Sequence, residues 1–332
     1  MTTAIDSDLQ SWLSLQEDDW PTLLVGNGLS INLWAGFSYS SLYQSAALTT
    51  AAQSIFNELG TTNFEQCLEC LHHANIALSA LNESTAKVDQ TYEDVRDALF
   101  TAVGLVHVPW ERFPQDAHDA LAVAINGYDA VFTTNYDLSL YWSQMQTTKV
   151  VDIVDYFWAA GHQFDPADTA VRSSRSTRMH YLHGGIHLWQ DNQTGENGKW
   201  TSGRGRLLDI QGKYGPGIDR RPLFVSEGTA AAKARTIRQS TYLSFCLEQL
   251  RMDDKPTVVF GQSLADQDRH VVAALMHGPT RRIAVSMYPT TDDAAVIAEK
   301  ARILGALGRH KVEFFDSTSY PIGAPSLLIP AP

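Results

Sequence analysis

The chain reads as an α/β protein: a Rossmann-like parallel sheet with helices on both faces and a helical insertion after the first strand. Three observations carry that reading. Short apolar runs that are continuous rather than alternating recur along the chain, as expected of strands buried on both sides. Helical patterns separate those runs, which is the arrangement of a parallel sheet. The first run, residues 22–25, starts abruptly after Pro21 and ends in Gly26-Asn27-Gly28.

Taken in order, residues 6–17 read as an amphipathic helix with Asp6 or Ser7 as cap and Leu9, Trp12 and Leu13 on one face. The strand at 22–25 follows. Its two glycines let the backbone turn tightly and let a ligand approach main-chain N–H groups. A helix starting near Ser30 presents its unpaired N–H groups and positive dipole end to a phosphate. The same residues also read as an ordinary strand-to-loop turn, because Asn32 or Leu33 stands where the six-residue glycine fingerprint needs a third glycine. Residues 38–125 are helical in pattern, with Asn63 and Gln66 resembling a capping box and Phe64, Cys67, Leu68 and Leu71 at helical spacing. This stretch is the insertion within one domain spanning 1–332.

Strand character returns at 129–134, 179–182, 257–261, 282–287 and 312–315, with 222–226 as a short strand or a lining segment. Helical patterns lie at 229–250, 266–276 and 291–307, while 160–178 and 190–220 are polar and Gly-rich and read as loops.

Composition limits the function. A formal net charge of −12 opposes direct nucleic-acid binding, where phosphate neutralisation dominates affinity. No apolar run reaches membrane-spanning length, and the N-terminus lacks the basic segment and apolar core of a signal peptide. Three cysteines, Cys67, Cys70 and Cys246, cannot build a disulfide framework. The expectation is a cytoplasmic protein, for which the glycosylation match at Asn192 has no meaning.

In open α/β sheets ligands bind beyond the carboxyl ends of strands, so polar clusters that follow apolar runs are candidates for one crevice. Thr133-Thr134-Asn135-Tyr136-Asp137 is the first. An Asn amide donates and accepts at once and suits a ribose hydroxyl or an attacking water; Asn and Asp are equally favoured as caps before a helix at 138–145. The second holds His180, His183 and His187, with Gly184 and Gly185 leaving space beside His183. Histidine is the common general base near neutral pH. The spacing does not match a helical metal pair and no acidic ligand sits among the three. His183 is taken as base, and His180 or His187 as packing or support. The third is Gly261-Gln262-Ser263, with Asp266 and Asp268 as caps or ligands and Ser286 ending the next strand. Cys67 and Cys70 with His72 and His73 invite a zinc reading, but Cys67 lies on the apolar stripe and reads as core. Lys233, Arg235 and Arg238 share one helix and read as a solvated face or partner contact. Glu227 lines the crevice or caps the helix from 229.

Motif order adds a resemblance. Gly-Asn-Gly-Leu-Ser at 26–30, Thr-Thr-Asn-Tyr-Asp at 133–137, Leu-His-Gly at 182–184 and Gly-Gln-Ser-Leu at 261–264 occur in sirtuin order. The chain resembles the sirtuin-like family, most closely the bacterial branch that includes NAD-consuming antiphage defence effectors, and the run at 222–229 looks like that of a subgroup of this branch. The resemblance spans about 22–317. It implies NAD as substrate, with Gly26, Asn27, Gly28 and Ser30 at the phosphates, and Thr134, Asn135 and Asp137 at the nicotinamide ribose and pocket. It further implies His183 as catalytic histidine and Gly261, Ser263 and Ser286 along the adenosine half. Departures matter too: Asn27 replaces the Ala of Gly-Ala-Gly, the Pro-Asp-Phe-Arg segment is missing, and the four-cysteine zinc module has no counterpart. No zinc is therefore expected, and deacetylation is disfavoured. The expected activity is NAD glycohydrolysis, with catalytic Asn135, His183 and Asp137. ADP-ribosyl transfer or deacylation, and a non-catalytic NAD sensor, are the alternatives. The resemblance also implies restraint through a homo-oligomer or a partner defence protein.

Overall fold

The structure, a computed structural model, describes residues 5–201, 214, 219–226 and 228–330. The chain lays down β1 (Thr22–Val25), β2 (Ala130–Thr133), β3 (Ile153–Val154) and β4 (Thr177–Tyr181), then β5 (Gly184–Asp191), β6 (Asn197–Lys199) and β7 (Arg220–Phe224). It ends with β8 (Thr257–Phe260), β9 (Arg282–Met287) and β10 (Lys311–Asp316). Seven of these form a parallel sheet in the order β10-β9-β8-β1-β2-β4-β3. Strand side chains alternate between faces, yet β1, β2 and β8 are buried at every position. Their sheet is therefore covered on both sides, which is why they read as unbroken apolar runs. The fold is a Rossmann-like α/β architecture with helices around the sheet.

After the short α1 (Gly28–Leu33), the chain between β1 and β2 builds α2 (Tyr39–Ser45), α3 (Thr50–Leu59), α4 (Phe64–Ala80), α5 (Ala86–Val106) and α6 (Gln115–Asn126). Asn63 caps α4 by accepting from the Glu65 N–H at 2.9 Å, and Gln66 meets Thr61 rather than closing a reciprocal box. Among the described residues the remaining α-helices are α7 (Ser139–Gln146), α8 (Ala230–Arg238), α9 (Thr241–Met252), α10 (Arg269–Leu275) and α11 (Asp293–Leu307).

Four expectations need correction. Residues 6–17 hold only a 3-10 turn, Trp12–Ser14. The apolar spacing there serves a different end: Gln10 runs extended beside Phe315, and Trp12 packs on Phe315 and Tyr320 at 5.0 and 4.7 Å. Within 190–220, β5, β6 and β7 form a separate three-stranded antiparallel sheet. Gly198, which suggested a loop, lies in β6 directly against the Trp189 ring, where a Cβ would overlap it. The helix at 229–250 is two, because Ser240 leaves helical geometry and accepts from the Leu243 N–H to start α9. Residues 266–268 form a 3-10 turn before α10.

Candidate active site

The chain passes from β1 to β2 on one side and later returns to β8 on the other. Such a reversal opens a crevice at the carboxyl ends of the strands. The turns after β1, β2, β4 and β8 meet there around a cavity of about 330 Å³. Asn27, Gly28, Thr134, Asn135, Asp137, His183, Gly261, Gln262, Ser263 and Asp268 line it, together with Tyr39, Asn63 and Glu65 of the insertion.

The glycines have a specific role. The Gly26 N–H donates to the Phe260 carbonyl and the Gly28 N–H to the Gly261 carbonyl, at 2.9 and 2.8 Å. A Cβ on Gly26 would sit 2.6 Å from Gln262 Cα, and one on Gly28 would sit 2.5 Å from Gly261 Cα. Gly261 has φ +63°, in the left-handed region. The three glycines thus let two turns lock backbone to backbone. That differs from the expected cradle, because two of its N–H groups already pair within the protein, and α1 is only six residues long.

Ser30 also departs from expectation. It is fully buried, and its hydroxyl donates to Asp137 Oδ2 at 2.5 Å while accepting from Asn135 Nδ2 at 2.8 Å. It is committed to its neighbours rather than free for a phosphate. The chain of bonds fixes the Asn135 amide. Because Ser30 gives its one proton to a carboxylate, Asn135 must present nitrogen to it. Asn135 Oδ1 is then left buried without a partner, an acceptor held ready for a ligand. Asp137 has a double duty, since its Oδ1 accepts from the Ser139 N–H at 2.7 Å and so holds the start of α7. Capping and the site share one side chain.

His183 sits on the turn between β4 and β5, buried, with its carbonyl accepting from the Val225 N–H at 2.9 Å. Its Nε2 is 2.8 Å from His270 Nε2 and 3.8 Å from Asp268 Oδ1. Asp268 Oδ1 is 2.8 Å from Lys233 Nζ, which lies 2.8 Å from Glu65 Oε1, and Asp268 Oδ2 accepts from Gln262 Nε2 at 3.0 Å. Gln262 Nε2 also donates to Thr134 Oγ1 at 3.2 Å. Burial holds the His183 imidazole well below its usual range, with Asp268 opposing. Burial likewise lowers His270 to about 4. Both rings are neutral at neutral pH. Burial raises the Asp268 carboxyl, but the Lys233 ammonium against it outweighs that and holds the group below the usual carboxylate range. Burial lowers Lys233, and its two carboxylates more than reverse that, so it stays charged.

Lys233 is a further correction. It is not on a solvated face but 0% exposed, with Glu65 and Asp268 as partners. Sequence reading missed Glu65, Lys233, His270 and the Gln262 amide. The pair Asp268 and His270 two residues apart after a strand was the available signal; nothing local marks Lys233 as buried. Ser263 shares the first cavity with a neighbouring depression of about 340 Å³, which adds Ser286, Tyr288 and Glu299. Ser286 Oγ accepts from the Gly261 N–H at 3.0 Å. His180 stacks on Phe132 at 4.5 Å and His187 on Tyr141 at 4.6 Å, both in the core. Cys67 is buried on α4. Asp266 is exposed and pairs with Arg269. Glu227 lies outside the described residues.

A family model described as Domain of unknown function (DUF4917) matches residues 23–322. The chain belongs to this family. The match takes in every strand of the parallel sheet bar the first residue of β1, so the whole crevice is DUF4917 territory. No curated protein matches the chain. Among solved structures, the DUF4917 chain is similar to one described as "Structural Basis for the Mechanism and Regulation of Sir2 Enzymes", at 12% identity and TM-score 0.38, covering 92% of this chain and 90% of that one. It is also similar to "The Structural basis for Sirtuin Substrate affinity", at 13% identity and TM-score 0.35, and to "Sir2-p53 peptide-NAD+", at 13% identity and TM-score 0.32. Each of these two covers 90% of this chain and 97% of that chain.

Proposed function

We propose that the chain is an NAD glycohydrolase. The observation that carries the reading is Asn135 Oδ1, a buried acceptor without a partner, in the cavity that His183 and Asp137 also line. The motif order that resembles sirtuins supplies the substrate. NAD lies with its nicotinamide ribose among Asn135, Asp137 and His183, and its adenosine half past Gly261 and Ser263 toward Ser286.

The bond between nicotinamide nitrogen and ribose carbon breaks with its electron pair leaving on nicotinamide. The ribose gains oxocarbenium character. Asn135 Oδ1 accepts from the attacking water or a ribose hydroxyl, Ser30 and Asp137 hold that amide in place, and His183 takes the proton as water adds. The products are nicotinamide and ADP-ribose. Neutral imidazole is the form a base requires, and the lowered titration of His183 provides it. An activity that consumes NAD is toxic, so the reading extends to a cytoplasmic antiphage effector held in check by a homo-oligomer or a partner protein, as the resemblance implies.

The test is purified protein with NAD, analysed by mass spectrometry for nicotinamide and ADP-ribose, beside folded Asn135→Ala and His183→Ala. Release by the wild type and its loss in both variants is the expected result. Turnover retained in both, or saturable NAD binding with no product over long incubation, sinks the hydrolase reading. ADP-ribosylated protein or acyl-ADP-ribose as the product transfers it to another reaction class.

A further inference from the structure

We infer that His183, His270 and Asp268 form a binding site for one divalent first-row metal ion, with zinc the best fit. Among the described residues this is the one group of three His, Cys, Asp or Glu whose donor atoms all come within 4.8 Å of one another. The Nε2 atoms of the two histidines are 2.8 Å apart, and Asp268 Oδ1 is 3.8 Å from that of His183. Zinc bonds of about 2.0–2.1 Å at tetrahedral angles put neighbouring donors about 3.3 Å apart. These two spacings straddle that value and all three donors lie within 4.8 Å of one another, so side-chain rotations that draw the donors together by up to about 1.5 Å produce the site.

The donor set is apt. Imidazole suits zinc, and two histidines with one carboxylate leave a fourth position open toward the cavity for water or a ligand. The donors are also held from behind, as metal ligands are. Lys233 Nζ and Gln262 Nε2 each take one oxygen of Asp268, at 2.8 and 3.0 Å, and each oxygen keeps a second lone pair. The Val225 N–H fixes the backbone of His183. The cysteine pair at Cys67 and Cys70, by contrast, has its first member on the core side of α4.

The ion and a substrate proton would compete for the His183 ring; this consequence rests on the hydrolase reading, whereas the metal site does not. The experiment strips the full chain with a chelator, then titrates it with zinc alone against a chromophoric chelator. One equivalent is expected in the wild type, with binding at least tenfold weaker in H183Q and in H270Q, each checked by circular dichroism. Cobalt in place of zinc should give visible bands of four-coordinate intensity without a thiolate charge-transfer band. Binding well below one equivalent, equal affinity in the wild type and a folded variant, or a thiolate band overturns the site. The cobalt spectrum decides on the wild type even where a variant does not fold. Zinc-loaded and stripped protein are then compared with NAD: inhibition reversed by chelator is expected. Silence of both forms strikes the hydrolase reading and leaves the titration to judge the metal.

Discussion

Replacing Lys233 by Met removes the ammonium between Glu65 and Asp268 and keeps the volume of the side chain. The carboxylates are mostly covered, at 25% and 13% exposed, so their charge is not taken up by water. Asp268 then loses the ammonium that holds its carboxyl below the usual range. Glu65 loses its contact with Lys233 as well, and breaking buried pairs costs about 3–5 kcal/mol. The expected loss is about 3 kcal/mol. Unfolding entropy of about 2 cal/mol/K per residue over 332 residues makes that a fall in Tm of about 4 °C. Urea melts and calorimetry read it. Arg251→Met is the control: its pair with Glu248 is about half exposed on both sides, and such pairs contribute about 0–1 kcal/mol. The double variant with Asp268→Asn should lose less than the two single losses together, because the orphaned charge is gone. Lys233 also holds the His183 and His270 rings down, so in Lys233→Met their NMR titrations should move up. A melt for Lys233→Met matching that of Arg251→Met, or strict additivity with Asp268→Asn, refutes the network.

Other outcomes follow from the same geometry. Gly28→Ala forces a Cβ against Gly261 Cα and should cost about 2 kcal/mol or more; Gly305→Ala, in α11 with nothing within 4 Å, should be neutral or stabilise by up to about 1 kcal/mol. Equal melting of the two variants removes the case for locked turns. Acid should be destabilising: burial lowers His118 and His270 to about 4 and His180 and His187 to about 3. Each folded value lies below the unfolded one, so the unfolded chain binds more protons, and the stability present above about pH 6.5 is lost as pH falls, by about 1.4 kcal/mol per pH unit per histidine. Urea midpoints at about pH 5 no lower than at about pH 7.5 would contradict that burial. Ser30→Ala should lower kcat at least tenfold with little change in KM if Asn135 orients water, since the amide loses its anchor but the cavity keeps its shape; unchanged kcat would detach Ser30 and Asp137 from the reaction.

The strands were legible because β1, β2 and β8 are buried on both faces and carry little but apolar residues. The smaller sheet was not, because β6 contains Asn197 and Gly198, whose roles are long-range. The Asn197 side chain accepts from Ser240, Thr241 and Tyr242 at 2.9–3.0 Å, and Gly198 is small for the sake of Trp189. The convergence of Asn135, Asp137 and His183 followed from each standing after a strand. Lys233 shows the limit. Its neighbours Arg235 and Arg238 set a basic pattern, and only the meeting of α4, α8 and the turn before α10 takes one of the three inside. Ser30 shows another, since sequence gives a hydroxyl's place but not what it is already bonded to.

The turn at His183 belongs to both sheets at once. Gly184, with φ +73°, lies so close to the Leu223 carbonyl that no side chain fits, and it pairs with Phe224 of β7. Phe224 in turn stacks on Phe100 of α5 at 5.4 Å. The imidazole therefore rides on a joint between two stiff plates, with the insertion pressing on one of them. A change far from the cavity, at Trp189 or Phe100, should reach His183 as misalignment of its ring rather than as a missing contact.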